Sequence, residues 1–315
     1  MTPPHLPTHS PISLRPLRFN RDLIGHAFSR LLTPSHAFSQ TSSGTLQTST
    51  LAGSGSAAYA EGAGASAAFN FPSGVTVTPD GSIVVVADRN NHRIRLIQLS
   101  SGTTSLLAGS GAQQTTDGVG ASASFDTPSE VAVSPDGASV AVGEQGHGVR
   151  LIALQTGTVT TLASSQIWGV TFSPDGANVF FVTRATGGGG QHEVRSVSMS
   201  DGTMVTVAGS GAEGAADGVG NQASFKQPMG IETTPDGKYL IVAECGGGLL
   251  RAVELATFAV TTMAGSGATE SVDGTGASAS FKYLAAVAVS PDGSTVYAIS
   301  TGSHVVRAIA VPQKQ

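Results

Sequence analysis

The chain has 315 residues, with 16 lysines and arginines against 21 aspartates and glutamates, a formal charge of −5. Only 12% of residues are charged and 5% are aromatic, and 41 glycines with 15 prolines stay below the level of a disordered polymer. A single cysteine, Cys245, excludes an intramolecular disulfide and any zinc site built on two or more thiolates. No apolar run reaches the roughly 18 residues of a membrane-spanning helix.

Residues 1–40 hold Arg15, Arg18, Arg21 and Arg30 against one acid, Asp22. Asp22, His26 and Arg30 interrupt every candidate for the apolar core of a secretory signal. The expectation is therefore a disordered leader or an organelle transit peptide over 1–46, followed by a globular body over 47–315. A cytoplasmic location is expected, with a mitochondrial or plastid address through residues 1–40 as the alternative. The chain beyond residue 40 carries 12 basic against 20 acidic groups, a net −8. Such a surface argues against nucleic acid, whose affinity rests on clustered lysine and arginine.

A repeat organises the body. Pro-Asp-Gly begins at Pro79, Pro135, Pro174, Pro235 and Pro291, at spacings of 56, 39, 61 and 56 residues. A second series closes β-like runs: STLAGSG (49–55), SLLAGSG (105–111), TLASS (161–165), TVAGSG (206–211) and TMAGSG (262–267). Between the two lie EGAGASAAF (61–69), DGVGASASF (117–125), DGVGNQASF (217–225) and DGTGASASF (273–281). The third repeat omits this segment, which accounts for its short spacing. In the first unit, GVTVTPDG (74–81), SIVVVAD (82–88), RIRLIQL (93–99) and TTSLLAG (103–109) read as four strands joined by short turns. Such meanders repeated without a helical period predict an all-β chain, a β-propeller of four-stranded antiparallel blades. The count is five blades, because 49–53 supplies a lone fourth strand while the last repeat supplies three, at 287–290, 295–300 and 305–311. On this reading the first piece closes the last blade and removes both exposed edges.

These blades resemble the NHL-repeat family, most clearly in PSGVTVTPDGSIVVVADRNNHRIRLIQLSSG (72–102). The resemblance covers about residues 47–311. It implies a propeller, six blades being the commoner count, and a set of roles that includes protein-interaction scaffolds, RNA binders, a lyase and gluconolactonase-like relatives.

His92, His147, His192 and His304 fall at one repeat position, each three residues before Arg95, Arg150, Arg195 or Arg307. A metal ring is excluded by distance. Two strand spacings outward, equivalent positions should stand about 15 Å apart, whereas zinc takes nitrogens at about 2 Å. These residues are expected to bind loops of their own or a neighbouring blade, with Asp88 and Glu144 as partners of Arg95 and Arg150. Asp117, Asp217 and Asp273 are expected to cap turns, since one carboxylate per loop falls far short of a calcium shell. The Gly-Ser-Gly pieces lack the helix and lysine of a phosphate cradle. Cys245 lacks a cationic neighbour that would activate it.

Chemistry should then sit where blades depart from the consensus. At the entry of the innermost strand the aligned positions read Ser73, Ser129, Trp168, Met229 and Ala285, then Gly74, Glu130, Gly169, Gly230 and Ala286. Two residues further they read Thr76, Ala132, Thr171, Glu232 and Ala288. Glu130, Trp168, Met229 and Glu232 are the unshared residues, and they combine apolar surface with two carboxylates. The expected function is a non-enzymatic scaffold binding a protein or small molecule on the loop-rich face near the axis. No catalytic residue, metal or cofactor is expected, and neither nucleic acid nor membrane as a partner. The alternative is a metal-dependent hydrolase or lyase of the gluconolactonase-like kind.

Overall fold

A computed structural model describes residues 49–184 and 191–311. The expected leader over 1–46 lies outside them. The chain forms five antiparallel sheets in sequence order, the blades of a five-bladed β-propeller. Blade 1 runs Pro72–Val77, Ile83–Asp88, Arg93–Gln98 and Thr103–Ala108, each strand paired with the next. Blade 2 repeats it with Pro128–Val133, Ser139–Glu144, Gly148–Ala153 and Thr158–Ala163. Blade 3 holds Ile167–Phe172, Asn178–Thr183, His192–Ser198 and Met204–Gly211. Blade 4 holds Pro228–Thr233, Tyr239–Glu244, Leu249–Glu254 and Ala259–Ala264. Blade 5 has three strands, Leu284–Val289, Thr295–Ser300 and Val305–Ala310.

The Pro-Asp-Gly turns are self-contained. In the first, Asp80 Oδ1 accepts from Thr78 Oγ1 at 2.5 Å and from the Ser82 amide at 3.1 Å, while Gly81 takes φ of 70°. Glycine meets that left-handed conformation without the steric cost of a Cβ.

The blades carry one element more than the four strands expected. Gly62–Ala63, Gly118–Val119 and Gly218–Val219 pair with the outermost strands of blades 1, 2 and 4. These two-residue clips come from the Asp/Glu-Gly-x-Gly segments. Their second glycines, Gly64, Gly120 and Gly220, turn the chain at φ of 54–55°. Each clip covers a sheet edge that would otherwise present open hydrogen-bonding groups.

The long loops of blades 1, 2 and 4 are each fastened to their own blade by a buried cation. Arg150 is fully buried and donates to Glu144 Oε2 (3.1 Å), to the Ser124 carbonyl (3.1 Å) and to Asp117 Oδ1 (2.7 Å). Its guanidinium carbon stands 5.3 Å from the centroid of the Phe125 ring. Arg251 repeats the arrangement with Glu244, Ser224, Asp217 and Phe225, and Arg95 with Asp88, Ala68, Ala60 and Phe69. The acid also accepts from a loop amide, at 2.8 Å in each case: Asn70 on Asp88, Asp126 on Glu144 and Lys226 on Glu244. That amide precedes a non-glycine residue in the left-handed region, Phe71, Thr127 or Gln227. The carboxylate thus holds a turn that costs on the order of 1 kcal/mol or more on its own. Burial pushes the carboxyls of Asp88, Glu144 and Glu244 up, Glu244 to about 7, against the pull of their arginines and loop amides.

Neighbouring blades meet through apolar seams. Val85, Ala87 and Ile94 of blade 1 pack on Val131, Val142 and Ile152 of blade 2, and similar clusters join blades 2 and 3, 3 and 4, and 4 and 5. The inner strands approach so closely that a Cβ on Gly74 would fall 2.7 Å from the Ser129 carbonyl oxygen, and one on Gly230 2.8 Å from Ala286 Cα. Among the described residues no such cluster joins blade 5 to blade 1.

The closing strand is the one element that differs in kind from expectation. Residues 49–53 form no strand, and blade 5 keeps three. The Gly53 amide donates to Gly64 O at 3.0 Å, as Gly109 donates to Gly120 and Gly265 to Gly276. The segment therefore holds the position against blade 1 that each fourth strand holds against the blade that follows it. Among the described residues Val305–Ala310 pairs only with Thr295–Ser300. Val306 accordingly stays 64% exposed.

Removing one partner of a buried ion pair strands the other in low dielectric. Glu144→Ala should cost about 3–5 kcal/mol in urea unfolding. In blade 3 the equivalent Arg195 has no covering loop and meets Glu193 at 3.7 Å with 18% of its side chain exposed. Arg195→Gln should cost under about 1 kcal/mol. Equal losses in the two variants would refute the clamp.

Candidate functional site

Strand direction sorts the connections onto two faces. On one, the Pro-Asp-Gly turns of successive blades stand together: the Cβ positions of Gly137, Gly176 and Gly237 lie 3.4–3.5 Å from Pro79, Pro135 and Pro174. The long loops and the histidine turns occupy the other face.

Glu130 and Glu232 sit on the inner strands of blades 2 and 4, opposite Gly143 and Ile241 in their sheets. They are 9% and 5% exposed. Burial pushes the Glu130 carboxyl well above the ordinary carboxylate range, and the charge of Glu232 pushes it the same way. The ring therefore brings together two acids that lie about a hundred positions apart in the chain, near enough to repel. Thr171 Oγ1 of blade 3 donates to Glu232 Oε1 at 3.3 Å. Thr76, at the register of Glu232 in blade 1, is 1% exposed and its Oγ1 has no hydrogen-bond partner among the described residues. The result is a polar patch on the inner strands with strong acceptor capacity for a donor-rich group.

Trp168 and Met229 occupy a different place. Met229 is buried, with its carbonyl oxygen against Gly169. Trp168 is half-buried and packs on the apolar seam between blades 3 and 4, with the Arg184 guanidinium carbon 4.7 Å from its ring centroid. Arg184 also lies near Cys245, whose thiol burial pushes up and Arg184 pulls down. The cysteine thus has a cationic neighbour that chain order conceals, since Arg184 comes from the preceding blade.

The histidines follow their loops in two cases. His147 Nε2 meets Asp126 Oδ2 of its own blade's loop at 2.9 Å, and His92 Nδ1 accepts from the Thr127 amide of the next blade at 3.3 Å. Asp117 and Asp217 do not cap turns. Each spans from the clamp arginine to an outer-strand threonine, with Asp117 accepting from the Thr161 amide at 3.1 Å and Asp217 from that of Thr262 at 3.1 Å. Asp273 is exposed and stands 3.4 Å from Arg307. Sequence reasoning passed over Glu244, Thr76, Thr171 and Arg184 as functional residues. The first could have been found by aligning it with Asp88 and Glu144 at the end of the second strand.

A raised carboxyl pKa means that the fold favours the protonated form of Glu130. The stability this supplies is complete below the unfolded value near 4.5 and is lost as pH climbs through the folded value. Glu130→Gln cannot ionise, so its melting temperature should fall less than that of the parent between pH 5 and pH 8. Parallel profiles would show that the carboxyl is not held in its neutral form.

The NHL repeat model matches residues 69–95, the segment with the first inner strand and the first histidine turn. SUPPRESSOR OF QUENCHING 1, chloroplastic, of Arabidopsis thaliana is 28% identical over 213 residues, 67% of this chain and 16% of that protein. NHL repeat-containing protein 2 of Homo sapiens is 25% identical over 302 residues, 78% of this chain and 40% of that protein. The chain thus spans less than half the length of these curated relatives. Among solved structures, an auxiliary nutrient binding protein from Bacteroides ovatus superposes with a TM-score of 0.61 at 20% identity, over 77% of this chain and 59% of that one. A chain of the nidogen/laminin complex gives 0.55 at 13% identity, over 76% of each. At these identities the likeness is one of fold. The matched repeat, the relatives and the blade architecture agree: this chain is a five-bladed β-propeller that carries an NHL repeat at residues 69–95.

Proposed function

We propose that the chain is a non-enzymatic binding scaffold whose inner-strand polar patch receives a cationic or donor-rich group of a protein or small ligand. The observation that carries this reading is the pair of buried carboxyls, Glu130 and Glu232, on non-adjacent blades, with Thr76 Oγ1 unsatisfied among the described residues at the register of Glu232. Carboxyl oxygens gathered on the inner strands are acceptors for a ligand ammonium or guanidinium. The nutrient-binding role of the Bacteroides ovatus neighbour accords with this reading.

Two facing carboxylates are also a beginning of a cation site, the feature that favours a metal-dependent hydrolase or lyase. That chemistry needs several more ligands converging on one ion. Among the described residues no three of His, Cys, Asp and Glu converge.

Calorimetric titration with lysine- and arginine-bearing tripeptides and with polyamines, on the parent and on E130Q/E232Q, separates these readings. A bound probe should lose about 2 kcal/mol or more, about thirtyfold in affinity, in the double variant. Unchanged affinity moves the site off the inner strands. A stoichiometric metal in the purified parent, lost in E130Q/E232Q, would replace the scaffold reading with the enzymatic one.

A further inference from the structure

The third repeat lacks the long loop that precedes the other blades. Only residues 164–166 separate the last strand of blade 2 from Ile167–Phe172. Comparing two equivalent seams shows what this leaves at the loop-rich end. Between blades 1 and 2, Arg89 donates to Gln145 Oε1 at 2.7 Å and His92 Nδ1 accepts from the Thr127 amide. The corresponding residues between blades 3 and 4 are Arg184, Cys245, His192 and Gln227. His192 is 6% exposed, yet among the described residues its Nδ1 has no hydrogen-bond partner. Arg184 meets a ring face and lies near a thiol, and among the described residues its shielded Nε has no partner. Glu213, whose charge reaches His192, is itself paired with Lys226 at 3.9 Å.

We propose that the loop-rich end of the seam between blades 3 and 4 is a carboxylate-binding site, in which Arg184, laid over Trp168, and His192 receive one ligand carboxylate. The site is separate from the inner-strand acids and does not depend on the function proposed for them. A planar guanidinium presents parallel donors to a planar carboxylate, and stacking on an indole fixes its orientation. Burial pushes the His192 pKa down, against the charge of Glu213 and with that of Arg184, which favours a neutral imidazole that adds an N–H donor without a second charge. One positive charge with a neutral donor matches a monoanionic carboxylate better than a phosphate dianion. The carboxylate can belong to a free small acid or to a peptide, and the two sources are distinguishable.

Trp168 is the only tryptophan, so its emission reports on this seam. The full chain is titrated with acetate, with succinate, with triglycine and with triglycine amide, at constant ionic strength. A saturable change with the carboxylates and none with the amide is expected. A response confined to acetate and succinate assigns a free acid, and one confined to triglycine assigns a peptide terminus. R184M should abolish the response, H192N should raise Kd about tenfold, and E130Q should leave it unaltered. Should R184M fail to fold, R184K and H192N decide the matter. No saturable change with any carboxylate, an equal response to the amide, or unchanged affinity in the Arg184 and His192 variants would overturn the proposal.

Discussion

The buried arginine clamp is the interaction on which the rest of the molecule depends. Arg95, Arg150 and Arg251 each have no exposed surface, and each ties together three parts of a blade that local structure cannot join. A carboxylate at the end of the second strand neutralises the charge and orders a strained turn. Carbonyls of the long loop accept from the terminal nitrogens, joined by an aspartate at Arg150 and Arg251, and a phenylalanine covers the guanidinium face. The repeated Asp-Gly-x-Gly-x-x-Ala-x-Phe segment is thereby explained residue by residue. Its aspartate binds the arginine and the outer strand, its second glycine turns the clip, and its phenylalanine lies against the cation. Loops of nineteen or so residues without regular structure would ordinarily be mobile. The clamp converts them into a fixed rim.

That rim is where blades can differ. The clamp is reduced in blade 5, where Ser300 replaces the acid and accepts from the Lys282 amide at 3.1 Å. It is lost in blade 3, where Thr183 stands in the acid's place and donates to the Gln191 carbonyl at 2.8 Å. Losing the loop with the acid is coherent, because a buried carboxylate without its arginine and amide would be unpaired. The absence leaves Trp168 and Arg184 half-covered at the next seam. Specialisation at that point costs the ring little, since the apolar cluster beneath, around Val182, Val194 and Phe225, remains intact.

The inner strands obey a different constraint. Glycine at 74 and 230 lets adjacent backbones touch, while the same register in blade 2 carries Glu130. Burial and the charge of Glu232 push the carboxyl of that acid up. Side-chain charge at the centre of the ring is thus coupled to backbone packing through a single register position.

Hydrophobic alternation, the Pro-Asp-Gly turns and the repeat phase determined the strands, the blade count and the pairing of Asp88 with Arg95 and Glu144 with Arg150. Those features depend on residues close in sequence, where period and spacing carry the geometry. The clips, the bridging role of Asp117 and Asp217, and the place of residues 49–53 were decided by tertiary structure. Each depends on how a loop folds back over a blade, or on whether the last blade reaches the first. The encounters of Glu130 with Glu232 and of Arg184 with Trp168 and Cys245 likewise arise only when blades are set around an axis. No local pattern encodes the angle between blades. It follows from the summed packing of four apolar seams, and so the residues that face one another across them become visible only in the folded ring.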